Sequence, residues 1–230
     1  MVMSGQSSNR EVNHGRLIPV ISGLAILSIT IGLFTLLEND DAKLKTHFVF
    51  GKQVTEDLSV HFEGIELQPG PQDEMLTVKG SWIFLAYGYT SCPDICPTTL
   101  LTLKVTIDEL VSLYPDETIN TVFYTLEPRV DTQVKLRQYV NYFSEDIVTA
   151  RPHSQKVAKH FESLLGIKKQ TTFEGQVSKI NHNANIYLLD PDENLRFVFQ
   201  PIVSSNKIEL PSKAQLTQGF SAAYEFRKGR

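Results

Sequence analysis

The sequence predicts an α/β domain carried behind one membrane-spanning helix. Two observations predict the domain. From Trp82 to Leu165, continuous apolar runs alternate with segments of helical periodicity, and between Asn185 and Phe199 two further apolar runs flank a turn-rich pentapeptide. A third observation predicts the anchor: Leu17 to Leu37 carries no charge over 21 residues, enough to cross a hydrocarbon core of about 30 Å.

Arg10 and Arg16 precede the uncharged run, and Glu38, Asp40 and Asp41 follow it. The positive-inside rule then leaves residues 1–16 in the cytoplasm and everything after Leu37 on the far side. The run exceeds the core of a signal peptide, about 7 to 15 residues, and no small-x-small cleavage site precedes Glu38, so a retained anchor is expected. A mitochondrial destination calls for an Arg- and Ser-rich leader longer than the residues before Leu17. The expected location is a cytoplasmic (inner) membrane, with a single pass over 17–37 and a soluble domain in the periplasm.

Residues 38–55 are polar and mixed and read as a stalk, although His47-Phe48-Val49-Phe50 could pair as an outer strand. Residues 56–230 read as one domain. Phe62 to Leu67 reads as a short strand, Gly70-Pro71 as a turn and Leu76-Thr77-Val78 as a lead into the core. Trp82-Ile83-Phe84-Leu85-Ala86-Tyr87 is apolar at every position, as a central strand buried on both faces must be. After Gly88, Leu100, Leu103, Ile107, Leu110 and Val111 recur at helical spacing, which predicts a helix from about Pro97 to Leu113.

Thr121 to Leu126 is the next strand, and Val134, Leu136, Val140 and Phe143 mark a second helix. Ile147-Val148 starts another strand, and Val157 to Leu165 a third helix ending near Gly166. Asn185 to Leu189 and Leu195 to Phe199 form a hairpin around Asp190-Pro191-Asp192-Glu193-Asn194, and Leu216, Phe220 and Tyr224 place a C-terminal helix on the sheet. Strand–helix–strand–helix followed by an antiparallel pair is the order of a thioredoxin-like sandwich, here with an N-terminal strand extension and an inserted hairpin.

The chain has two cysteines, Cys92 and Cys96, in Gly88-Tyr89-Thr90-Ser91-Cys92-Pro93-Asp94-Ile95-Cys96-Pro97. A bridge across so small a loop removes little unfolded-state entropy, which favours function over stability. Pro97 suits the first turn of a helix, so Cys96 falls at or just before a helix N-terminus, where unsatisfied N–H groups and the macrodipole favour thiolate. Thioredoxin-like oxidoreductases separate their cysteines by two residues. Three here leave a wider loop from which both sulfurs could converge on one ion.

His182 is the candidate third ligand. It lies just before the strand Asn185 to Leu189, where thioredoxins place a cis-proline facing the cysteines, and no proline occurs between Pro152 and Pro191. Two thiolates and one imidazole suit copper, as Cu(I) through the sulfurs or Cu(II) with the nitrogen added, and zinc is also chemically possible. His14, His47, His61, His153 and His160 have no such context. The net charge of −4 gives no case for nucleic acid, and monomer is the default state.

From about His61 to Ala223 the chain resembles the Sco/SenC family of copper-delivery proteins. The resemblance rests on G-[YF]-T-x-C-P-D-x-C-P-x-x-L at Gly88 to Leu100, on Glu127-Pro128-Arg129-Val130-Asp131-Thr132 beside the family's D-P-x-R-D-T, and on His182 before Tyr187-Leu188-Leu189-Asp190-Pro191-Asp192. It implies Cys92, Cys96 and His182 as ligands of a copper ion, an upstream copper donor, and delivery to, or disulfide reduction at, the binuclear copper centre of cytochrome c oxidase subunit II or another acceptor. The chain departs from the family pattern at Asn181 and Glu127, each usually aspartate, and at Glu193-Asn194, which replaces a hairpin glycine. Asn194 can enter the left-handed conformation that the glycine supplies. The alternative function is an extracytoplasmic thiol-disulfide oxidoreductase, with Cys92 as nucleophile and Cys96 resolving. A peroxiredoxin-like peroxidase is disfavoured by Leu85 and Tyr89, where that family's pattern has proline and threonine.

Overall fold

The computed structural model describes residues 50–70, 78–174, 177–204 and 207–230. Segment 17–37, predicted to span a membrane, lies outside them, as does most of Leu76-Thr77-Val78. No helix among the described residues is long and apolar enough to cross a membrane.

The centre of the domain is β3 (Trp82–Gly88), buried along its whole length. It pairs in parallel with β4 (Ile119–Thr125), which pairs in parallel with β5 (Val148–Pro152). On its other side β3 runs antiparallel to β8 (Ile186–Leu189), followed by β9 (Leu195–Phe199). The edges are β1 (Gly51–Gln53), antiparallel to β9, and β2 (Ile65–Gln68), antiparallel to β5, giving the order β1-β9-β8-β3-β4-β5-β2. The N-terminal extension thus supplies both edges. The strand formed next to the His47–Phe50 run is Gly51–Gln53.

Alternation in β3 explains why all its positions are apolar. Trp82, Phe84 and Ala86 point to a core shared with α1 (Ile95–Leu113), α2 (Gln133–Asn141) and α4 (Lys213–Lys228), whereas Ile83, Leu85 and Tyr87 point to a second core with Phe161 of α3 (Gln155–Leu164). Phe220 of α4 seals the first core, its ring centroid 5.0 Å from Trp82. Thr132, Ser154 and Ser212 cap α2, α3 and α4 by accepting from the backbone N–H three residues on. Of the apolar positions predicted to face inward, Val111 and Val134 are exposed instead, on the solvent side of their helices.

Two hairpins stand apart from the main sheet: β6 (Lys169–Glu174) with β7 (Val177–His182), and β10 (Ile202–Ser204) with β11 (Lys207–Glu209). The first, which the sequence patterns did not place, ends on His182. In the β8–β9 turn the left-handed residue is Glu193 (φ 62°), not Asn194. Asp190 dictates this. Its Oδ1 accepts from Asp192 N and Asn194 N, both at 2.9 Å, while the Asp190 carbonyl accepts from Glu193 N at 2.9 Å. Asn194 is then free to accept from Ser59 Oγ at 2.9 Å, and Asp190 Oδ2 holds the buried Arg196 Nε at 2.6 Å.

Candidate metal centre

The cysteine loop leaves β3 at Gly88, at the carboxyl end of the parallel strands, where open α/β sheets leave room for ligands. The helix after it begins at Ile95, two residues earlier than the apolar spacing predicts, so Cys96 lies inside the first turn. Pro97 is tolerated because the first four N–H groups of a helix have no intrahelical acceptor. Asp94, the N-cap, makes no side-chain cap bond. The backbone N–H groups of Cys96 and Asp94 instead favour the charged form of the nearby Cys92 sulfur.

The two thiols are unequal for physical reasons. Cys96 Sγ–H donates to the Cys92 sulfur, and this bond, helped by the two N–H groups and by the nearby His182, brings the Cys92 thiol down to about 5 against the opposing effect of burial. The same bond, together with burial and the Cys92 charge, pushes Cys96 well above the ordinary thiol range. Cys92 is half-buried and Cys96 buried. Iodoacetamide is expected to alkylate Cys92 at a rate nearly flat between about pH 6 and 8 and falling as pH drops through about 5, with Cys96 unmodified. A Cys92 rate still climbing steeply near pH 8 would contradict the assignment.

The loop is fixed from below by Asp131, which is fully buried. Its carboxylate accepts from Thr90 N at 3.1 Å, Thr90 Oγ1 at 2.5 Å and Thr125 Oγ1 at 2.6 Å. Arg151 Nε donates to the Asp131 carbonyl at 3.2 Å and Arg151 Nη2 to the Pro128 carbonyl at 2.9 Å, so the 127–132 turn is itself braced. Sequence reading matched this segment to a family pattern without assigning Asp131 a role. The signal missed was the pair of threonines, Thr90 and Thr125, at the ends of adjacent parallel strands.

His182 arrives from the opposite side on β7, paired with Lys169. Its ring packs beside Tyr87 and Tyr89, with centroids 5.4 and 6.3 Å away. Nδ1–H donates to the Asn183 carbonyl at 2.7 Å, the tautomer that leaves Nε2 with a lone pair for a metal. Asn183 shapes this bend: its Oδ1 accepts from Lys168 N at 2.8 Å and its Nδ2 donates to the Gly166 carbonyl at 3.2 Å. The sequence patterns gave Asn183, Tyr87 and Tyr89 no part in the site. Asn181, exposed on β7, pairs in register with Gln170.

The structure therefore brings Cys92 and Cys96 into hydrogen-bond contact and His182 close enough to act on the Cys92 charge. Among the described residues, no three His, Cys, Asp or Glu side chains stand at coordination spacing. An open cleft of about 540 Å³, lined in part by Ile95, His182, Asn183 and Tyr187, leads to this corner. The other described histidines are remote from it in role: His61 meets Glu193 at 3.1 Å, His153 lines a cavity beside α3, and His160 is exposed on α3. His14 and His47 lie outside the described residues.

A thiolate–thiol pair at the first helix of such a sheet, faced by an imidazole, defines a thioredoxin-like dithiol protein with a potential soft-metal site. The chain belongs to the SCO1/SenC family, whose sequence model matches residues 51–214. It is 33% identical over 124 residues to a Stutzerimonas stutzeri protein provisionally named a copper-binding protein, covering 52% of this chain and 58% of that one. It is 27% identical over 116 residues to the human mitochondrial SCO1 homolog, covering 49% and 38%. The matched part of the chain thus spans 58% and 38% of these relatives' lengths. The crystal structure of Arabidopsis thaliana ScoI with copper bound shares the fold, with a TM-score of 0.56 and 24% identity over 64% of this chain and 86% of that one.

Proposed function

We propose that this chain is a membrane-anchored copper metallochaperone of the periplasmic face, with Cys92, Cys96 and His182 as the ligands of its cargo. The observation that carries the reading is the asymmetric sulfur pair with His182 beside it. Cys92 is already thiolate, Cys96 supplies a second sulfur on losing its proton, and His182 Nε2 is the free nitrogen. Binding Cu(I) releases the Cys96 proton to solvent and forms two Cu–S bonds. Transfer breaks each as an acceptor ligand replaces it, with no change of oxidation state. The open cleft beside Ile95 and His182 gives an acceptor room to approach. The acceptor of this proposal is the binuclear copper centre of cytochrome c oxidase subunit II, supplied by an upstream copper donor, and the family membership and copper-named relatives support it.

The same asymmetry favours a second reading, a thiol-disulfide oxidoreductase. The Cys92 thiolate would attack a partner disulfide and form a mixed disulfide, releasing one partner sulfur as thiolate. Cys96 would then deprotonate and displace the second, so that two electrons pass to the partner and Cys92–Cys96 becomes oxidised. His182 is dispensable to that sequence.

Copper titration of the reduced full chain in detergent, followed by absorption and electron paramagnetic resonance, separates the readings. Stoichiometric copper is expected, with sulfur-to-copper charge transfer lost in Cys92→Ser and affinity reduced at least ~10-fold in His182→Ala. Absence of copper uptake by the wild type sinks the chaperone, and uptake indifferent to His182→Ala moves the assignment to the oxidoreductase.

A further inference from the structure

The β6–β7 hairpin that carries His182 stands apart from the main sheet, and a two-stranded sheet by itself is only marginally stable in water. Its base must therefore be held by the rest of the domain. Lys169 is paired in register with His182, so the two side chains leave the same face of the hairpin, with Cβ atoms about 4.5–5.5 Å apart. Ile180, two positions before His182, shares that face and is buried in the core with Tyr89 and Phe161. Lys169 Nζ donates to Glu162 Oε1 of α3 at 2.6 Å and to the Leu126 carbonyl, just past β4, at 3.2 Å. Glu162 is buried, and the same oxygen accepts from the Tyr124 hydroxyl at 3.4 Å.

Leu126 is the link to the cysteines. Its N–H donates to the Gly88 carbonyl at 2.7 Å, at the end of the strand from which the cysteine loop leaves, while its own carbonyl receives Lys169. On the other side of the pair, the His182 ring lies 6.3 Å from that of Tyr89, whose carbonyl accepts from Cys92 N at 3.1 Å. Asn183 closes the bend after His182 through Lys168 and Gly166, and Lys169 adds the tie to β4 and to the body of α3. A fully solvated ion pair would fix little, but here the lysine side chain is 29% exposed and the carboxylate 8%, so breaking the pair strands a buried charge. We infer that Lys169 is the positioning residue for His182: its ion pair with Glu162 pins the base of the hairpin to α3 and to the end of β4, and so fixes the imidazole against the cysteine loop. This rests on the proposed copper reading, in which His182 is the third ligand. Lys169 acts through strand pairing and does not touch the ion.

The test is Lys169→Met in the reduced full chain in detergent, which keeps the aliphatic stem and deletes the ammonium group. In the metal-free protein, amide hydrogen exchange is expected to quicken at least ~10-fold in β7 while exchange in α1 stays at the wild-type rate. Copper affinity is expected to fall at least ~10-fold, as for His182→Ala. Lys169→Met combined with His182→Ala should bind copper no more weakly than His182→Ala alone, because both changes remove the same imidazole from the site. Exchange that quickens equally throughout the domain would make the pair a general stabiliser, and exchange unchanged in β7 would mean that the hairpin holds itself. Losses of affinity that multiply in the combined variant would mean that Lys169 acts by a route other than His182. Each of these results overturns the inference. If stranding Glu162 unfolds the single variant, Lys169→Met with Glu162→Met, which leaves no buried charge, is measured in its place with the same expectations. A wild type that takes no copper defeats the chaperone reading alone, and the exchange comparison then decides whether Lys169 holds the His182 strand.

Discussion

Replacing Asp131 with alanine is expected to destabilise the domain by about 3–5 kcal/mol and to detach the cysteine loop from the sheet. Asp131 is fully buried, and its two oxygens satisfy three donors on two different segments: the amide and hydroxyl of Thr90 and the hydroxyl of Thr125. Hydrogen bonds to a charged acceptor contribute about 1.5–3 kcal/mol each, and donors left buried without an acceptor cost further. Thr90 precedes Ser91 and Cys92, so the loss is transmitted to the sulfur pair. Asp131→Asn should cost less. With its amide oxygen where Oδ2 sits, it keeps Thr90 N and Thr125 Oγ1, and its NH₂ can donate to Thr90 Oγ1 once that hydroxyl turns. Urea denaturation ranks the three proteins, and iodoacetamide kinetics report the loop. An Asp131→Ala protein within about 0.5 kcal/mol of wild type would show that the carboxylate does not hold the loop.

The contrast between Asp131 and Cys92 shows what could be read from sequence. Local patterns carried the architecture. The six apolar residues from Trp82 to Tyr87 demanded a strand covered on both faces, and β3 is that strand. Leu195 to Phe199 forms a strand with the predicted ends, because Asp190 and its turn fix where pairing restarts. The two cysteines were legible because so short a spacing forces them together whatever the fold. His182 was legible only through the thioredoxin-like order, which brings the segment before β8 towards the first helix.

What failed depended on side-chain contacts that a residue pattern does not show. Asn194 was the expected left-handed residue, but the Asp190 carboxylate, accepting from Asp192 N and Asn194 N, puts Glu193 there instead, and Asn194 Oδ1 then accepts from Ser59 Oγ, 135 positions away. The start of α1 at Ile95 was missed because its apolar spacing begins only at Leu100 and its N-cap, Asp94, makes no side-chain cap bond.

Gly88→Ala tests how tightly that end of β3 is built around Cys96, and it is expected to disturb the chemistry more than the fold. A Cβ at Gly88 would overlap Cys96 Sγ and lie 3.3 Å from Phe123 Cζ. The backbone cannot retreat, because Gly88 is paired with Thr125 in the parallel ladder and its carbonyl accepts from Leu126 N at 2.7 Å. Phe123 is buried against Tyr139 and has little room to give. The sulfur is the movable part, at an overpacking cost of about 1–3 kcal/mol. Moving it breaks the bond by which Cys96 Sγ–H donates to Cys92, the largest single stabiliser of the Cys92 thiolate. The Cys92 thiol should therefore climb from about 5 towards its unfolded value of 9.0. Its alkylation rate near neutral pH should then rise with pH instead of staying flat. The linkage has the same sign: a depressed thiol stabilises the native state most above the unfolded value and loses that contribution as pH falls through the folded one. The variant should accordingly show a flatter dependence of stability on pH between about 5 and 9 than the wild type. An unchanged alkylation midpoint in Gly88→Ala would mean that the two backbone N–H groups and His182 hold the Cys92 charge without Cys96, and that the sulfur pair is less interdependent than its geometry indicates.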